Sequence, residues 1–150
     1  GRLTAVILTA ILIFSGALDV WRTISGQIKI RVFPATALEI ASRIKAVTPK
    51  NALFLNAPTY NSAIVLTGRQ SFIRYPGHLA SHGINYAERE RDTQSIYAGG
   101  PLARHLLEKY KIDYVLISPE ERTLLQVNER FFAAFPLAAE IGDYKIYKVR

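Results

Sequence analysis

Leu3 to Leu18 reads LTAVILTAILIFSGAL, apolar or small throughout and without a charge. A run of this kind admits few placements. A bilayer span needs about 20 such residues, within a range of roughly 17–25. Extension to Trp21 reaches that length with Asp19 at the interface, and Trp21 and Arg22 then stand where an aromatic belt and a headgroup anchor belong. Two other readings compete. Arg2 followed by an apolar stretch and Ser15-Gly16-Ala17 resembles a signal segment with a small-residue cleavage site, and a buried core helix would have the same composition. The span is the reading we carry forward, with residues 1–22 as a membrane helix, 23–34 as a connector and 35–150 as an extramembrane α/β domain. The chain starts at Gly1 and holds no Met, so we expect a membrane-adjacent piece of a longer protein.

The remaining length suits one domain. There is no Cys, which removes a disulfide framework, a thiolate metal site and a cysteine nucleophile from consideration. The net charge is +7, yet Glu88, Glu90 and Asp92 alternate with Arg89 and Arg91. No single-sign face emerges, and nucleic acid is not the expected partner. Beside a membrane, such a charge favours anionic headgroups or phosphate-bearing lipids.

Ser25 to Arg31 reads as an extended connector with Ile28, Ile30 and Val32 alternating. A helix follows Pro34, with Thr36 as cap, Glu39 completing a capping box, and Leu38, Ile40, Ala41, Ile44 and Val47 as its apolar face. Thr48-Pro49 stops it. Strands are expected at Ala52–Asn56, Ala63–Leu66 and Ser71–Tyr75. Tyr86–Tyr97 is a helix ended by Gly99-Gly100. Pro101 opens another, with Leu102, Leu106, Leu107 and Tyr110 on one face. Lys111–Ser118 is the clearest strand. Pro119-Glu120-Glu121 opens a helix running to Phe135, with Phe131, Phe132 and Phe135 as core. Leu137–Ile141 and Tyr144–Val149 form a closing hairpin, in which Tyr144 and Tyr147 fall on opposite faces and at least one is exposed. The order predicts an α/β fold, a single mixed sheet flanked by helices and preceded by the membrane helix.

Chemistry concentrates between Leu66 and Tyr97. His78 and His82 are four apart, as in a metal pair on a helix, but no third ligand or HExxH-type Glu accompanies them. A loop-packing pair is the default. Arg69 and Arg74 flank Phe72 and Ile73, and their guanidinium forks suit phosphate or carboxylate. The competing reading pairs them with Glu88, Glu90 or Asp92. Those acids are poorly spaced for catalysis, because i and i+2 neighbours on a helix do not face each other. No nucleophile elbow, Walker A loop or GxGxxG is present, and no cofactor is expected in this chain.

The order LTGR, YPG, SHGINYAERE, a Gly pair, LLEKYKIDYVLIS and IGDYKIYKV resembles the extracytoplasmic C-terminal region of multi-spanning prokaryotic membrane proteins related to the GT-C superfamily of glycosyltransferases. The likeness covers Phe33 to Arg150. Gly68, Arg69, Tyr75, Pro76, Gly77, Ser81, His82, Gly83, Tyr86, Glu88 and Arg89 carry it. Between YPG and SHG, where bulky aromatics would be expected, the chain has His78, Leu79 and Ala80, which counts against sugar stacking by that stretch. The resemblance implies a non-catalytic tail domain outside the cytoplasm, with the catalytic acid upstream. The resemblance marks the tail and not its chemistry; from the polar loop beside the apolar run, Arg69, Arg74, Tyr75, His82, Tyr86, Glu88 and Arg89 are the candidate substrate-binding residues. Its partners would be membrane lipid, a polyprenyl-phosphate sugar and a saccharide or protein acceptor. Flanking charges argue the other way on sidedness: Arg22, Lys29 and Arg31 after the run outnumber Arg2 before it, which favours a cytoplasmic domain. Two alternatives stand beside this one. One is an exported hydrolase or metal-binding domain using His78, His82 and Glu88, and the other a structural domain for partner assembly.

Overall fold

The computed structural model describes residues 1–26, 29 and 31–150, in two compact units, Gly1–Val32 and Phe33–Arg150. In the first, α1 runs from Arg2 to Ile24 and buries none of its side chains. Its mean hydropathy reaches 2.2. At about 1.5 Å per residue it extends roughly 35 Å, against about 30 Å of bilayer hydrocarbon. It is therefore long and apolar enough to cross a membrane, and it offers no packing on which the core-helix reading could rest. It also runs two residues past Arg22. The expected alternation of Ile28 and Ile30 lies outside the described residues.

In the second unit a single mixed sheet of five strands is flanked by helices. Helix α2 (Ala35–Val47) precedes β1 (Leu53–Leu55), and β2 (Gln70–Ser71) pairs parallel with β1. Next come α3 (Pro76–Ser81), α4 (Ala87–Ala98), α5 (Pro101–Lys109) and β3 (Tyr114–Ile117), which lies parallel to β1 on its other side. After α6 (Pro119–Leu124) and α7 (Glu129–Phe132), β4 (Leu137–Ile141) and β5 (Tyr144–Lys148) close the sheet as an antiparallel hairpin. The spatial order is β2-β1-β3-β5-β4. Central β3 is buried along its whole length, as a strand covered on both faces must be.

Strand periodicity sorts the core into two layers. Leu55, Val115, Ile117 and Tyr147 point toward Ile96, Tyr97, Leu106, Leu107 and Phe132. Phe54, Tyr114, Leu116 and Ile146 point toward Ile40, Ile44 and Ile64. Tyr144 and Tyr147 do fall in opposite layers, but both are buried, since helices cover both faces and leave neither tyrosine a solvent side.

Several local expectations give way to packing. Helix α2 has no side-chain cap; Pro34 stands at its N-cap and Thr36 lies inside the first turn. Its buried face is Ala37, Ile40, Ala41 and Ile44, while Leu38 stays exposed. Ala63–Thr67 is a 3-10 helix and not a strand, closed by Gly68 in the left-handed region. Strand β2 is correspondingly shorter and earlier than Ser71–Tyr75. On α5, Ala103 takes the buried position expected of Leu102. The helix after Pro119 breaks at Leu125, and the chain re-enters helix at Asn128, whose side chain caps α7 through the Phe131 N–H.

Candidate functional site

In open α/β sheets, ligand sites lie beyond the carboxyl ends of parallel strands, at the point where successive connections diverge to opposite sides. Here the chain leaves β1 toward β2 and leaves β3 toward the β4–β5 hairpin, so that point falls between β1 and β3. It is filled. The fully buried Glu121 carboxylate accepts the Ala57 N–H at 2.7 Å from the β1 loop. It also accepts the Ser118 N–H at 2.9 Å and the Ser118 hydroxyl. Ser118 in turn takes the Glu120 N–H at 3.2 Å, which completes a capping box for α6. Burial pushes the Glu121 carboxyl above the usual carboxylate range, opposed by the Ser118 hydroxyl and the Ala57 N–H. Tyr97 donates its hydroxyl to the Leu116 carbonyl at 2.8 Å, with the Leu55 carbonyl 3.3 Å away. These groups join β1 to β3.

Open space lies on the β2 side of β1. A hollow of about 150 Å³ is lined by Asn56 and Thr59–Tyr60 after β1, by Ile73, Arg74 and Tyr75 after β2, and by His78. That volume is ample for several waters or a tetrahedral oxyanion. Asn56 is 2% exposed. Its amide donates to the Ala57 carbonyl at 2.7 Å, while its Oδ1 has no partner among the described residues. Buried polar atoms are nearly always partnered, and this one is both unpartnered and shielded from solvent. Arg74 is exposed and, unlike Arg69 and Arg89, makes no hydrogen bond or ion pair among the described residues.

A second cleft of about 460 Å³ adjoins the hollow, sharing Thr59, Tyr60 and Tyr75, and extends along Pro76, Gly77, Glu90, Gln94 and Leu124. Its volume is that of a small-molecule site. The Tyr60 and Tyr75 rings meet edge to face, centroids 5.7 Å apart, and Tyr75 meets His78 the same way at 5.2 Å. Gly77 is required for this placement, because a Cβ there would stand 2.5 Å from Tyr75 Cε1. Thr59 donates its hydroxyl to Glu120 at 3.2 Å, and partial burial raises the Glu120 carboxyl.

The residues expected from sequence to bind substrate separate into three groups. Arg74 and Tyr75 line the hollow, and Tyr75 the larger cleft as well. Arg74, Tyr86 and Arg89 share a further hollow of about 340 Å³, but Arg89 donates to the Phe72 carbonyl at 2.9 Å and lies over the Phe72 ring. The others stand apart. Arg69 is buried, and its guanidinium donates to the Lys45, Thr48 and Thr67 carbonyls at 3.0, 2.8 and 3.1 Å. It serves the carbonyl end of α2, and neither the anion rim nor the pairing with Glu88, Glu90 or Asp92 describes it. Glu88 pairs with Lys109 at 3.3 Å, which also meets Asp92. His82 ends α3 in solvent and lines none of these hollows. Among the described residues no three His, Asp or Glu gather as metal ligands.

Asn56, Thr59, Tyr60 and Gln94 carry no assignment in the sequence reading, and Glu90 figures there only as an arginine partner or a poorly spaced acid. The usable signal was NAPTYN directly after the β1 strand, the carboxyl end of a strand in an α/β order. No protein-family model matches the chain, and no curated protein shows significant similarity to it.

Proposed function

We propose that the chain is a membrane-anchored, non-catalytic α/β domain of a glycosyltransferase-like membrane protein, lying outside the cytoplasm, and that it holds the phosphate of a lipid-linked sugar, or a comparable anionic acceptor, at Arg74. The observation carrying this is the unengaged Arg74 side chain at a hollow, between the ends of β1 and β2, that Asn56, Tyr60 and Tyr75 also line. A phosphate supplies acceptor oxygens for the arginine fork. The span-length helix and the ordered likeness of LTGR, YPG and SHGINYAERE to such tails support the membrane setting.

Titration of the full chain in lipid nanodiscs with inorganic phosphate and with a short polyprenyl phosphate tests this. Both should bind, and Arg74→Gln should weaken both by about 10- to 100-fold, the equivalent of one charge-assisted hydrogen bond worth about 1.5–3 kcal/mol. Equal binding by wild type and variant would remove the reading. The assembly-domain alternative draws on the engagement of Arg69, Arg89 and Glu88 within the domain. It predicts unchanged phosphate affinity in Arg74→Gln.

A further inference from the structure

Resting on that reading, we infer that the larger cleft is the sugar subsite, and that Glu90 selects an uncharged or amino hexose against a uronic acid. The cleft adjoins the phosphate hollow, with Thr59, Tyr60 and Tyr75 lining both, so it is the space beside a ligand anchored at Arg74. Its near wall is aromatic: Tyr60 and Tyr75 are 62% and 39% exposed and stand nearly perpendicular. Such an L-shaped wall offers one ring face to the C–H surface of a pyranose while excluding water from its edge.

Two polar side chains of α4 line the same cleft. Glu90 and Gln94 are one turn apart on α4 and share a face. Both line the cleft, and the Glu90 carboxylate takes part in no hydrogen bond or ion pair among the described residues, in contrast to those of Glu88 and Asp92 on the same helix. An unpaired carboxylate accepts from two sugar hydroxyls, and the Gln94 amide both donates and accepts. The two ends of the site thus carry opposite charge, cationic for the phosphate and anionic for the ring. A ring bearing its own carboxylate would set like charges together in a half-enclosed cleft, which is strongly disfavoured, whereas hydroxyls or an ammonium are matched.

The experiment compares inorganic phosphate, glucose 1-phosphate and glucuronic acid 1-phosphate as probes, titrated calorimetrically against the full chain in nanodiscs. Glucose 1-phosphate should bind about tenfold tighter than phosphate, and glucuronic acid 1-phosphate no tighter than phosphate. Glu90→Gln should raise affinity for the glucuronic acid probe about tenfold and leave phosphate unchanged. Gln94→Ala should weaken glucose 1-phosphate alone, and retained phosphate binding in both variants shows that they are folded. Phosphate binding with no gain from the glucose ring, or glucuronic acid 1-phosphate matching glucose 1-phosphate in the wild type, overturns the sugar subsite and leaves the phosphate site standing. Binding of none of the three probes overturns both.

Discussion

Arg69 separates a ligand-binding role from a structural one, and its replacement gives the sharpest test of the fold. The guanidinium is 9% exposed and serves three backbone carbonyls, two of them from the end of α2. A helix C-terminus concentrates partial negative charge and unpartnered carbonyls, so a buried cation here meets both needs. Bonds to a charged donor contribute about 1.5–3 kcal/mol each, and three sum to about 4.5–9 kcal/mol. Truncation to alanine recovers about 2 kcal/mol of side-chain entropy and lets water reach part of the site. The expected net loss for Arg69→Ala is about 3–6 kcal/mol, a large part of the roughly 5–15 kcal/mol that holds an ordinary domain. Arg69→Lys keeps the charge without the planar fork and should recover less than half of that. Urea unfolding of the full chain in micelles, read by near-ultraviolet circular dichroism, measures the loss. All eight Tyr, from Tyr60 to Tyr147, lie in the α/β unit, whereas the single Trp, Trp21, lies in α1 and would not report on it. A loss below about 1 kcal/mol together with abolished phosphate binding would refute the structural assignment and return Arg69 to the site.

Glu121→Leu should cost about 2–6 kcal/mol in the same assay, because the Ala57 and Ser118 N–H groups each lose their acceptor at about 1–3 kcal/mol apiece. Burial raises the folded-state value of Glu121, so its protonation contributes stability that is fully present below the ordinary glutamate value of about 4.3. That contribution is lost as pH rises through the raised folded value. The stability of wild type minus that of Glu121→Gln should therefore fall with rising pH across that window; a flat or rising difference would contradict the assignment. Gly99→Ala should cost about 2–4 kcal/mol by thermal unfolding, from a backbone at φ +79° and ψ −172° and a Cβ placed 2.9 Å from Phe131 Cβ. An unchanged midpoint would show that α7 moves freely away from the α4–α5 junction.

What the sequence disclosed depended on whether a pattern was local. Strand β3 announces itself as a continuous apolar run, the closing hairpin through the alternation of β5 and the Gly142-Asp143 turn, and α4 and α5 through Gly99-Gly100 and Pro101. The 3-10 helix at Ala63–Thr67 was misread because four apolar residues satisfy a strand and a helical turn equally. Leu125–Asn128 was read as helix because the break is set by a contact distant in sequence, the Asn128 N–H donating to the Tyr97 carbonyl at 2.8 Å. The candidate site is half legible: Arg74 and Tyr75 stand out by residue type, whereas Asn56 and Tyr60 reach the same hollow through the parallel pairing of β1 and β2. Arg69 was misplaced because its partners are backbone carbonyls, to which a residue pattern is blind.

The displacement of the open site from the β1–β3 point to the β1–β2 side follows from the way the sheet is finished. In an all-parallel sheet, helices on both faces would close over β3, and its carboxyl end would open onto a crevice. Here β3 is followed by two short helices, α6 of six residues and α7 of four, before the chain reaches the hairpin, and β5 pairs antiparallel against β3. The N–H donors at the start of α6 need acceptors at this boundary. Ser118 and Glu121 resolve this by folding the capping box inward, so that the carboxylate serves α6 and the β1 loop together. Once Ala57 is held in this way, the next residues, Pro58 to Tyr60, are directed toward β2. There β2 is two residues long and leaves Ile73, Arg74 and Tyr75 free of the ladder. The structural closure at one strand boundary and the ligand-sized opening at the next are thus one feature. A variant that loosens the Glu121–Ala57 bond should accordingly weaken phosphate binding at Arg74 even under conditions in which the domain stays folded.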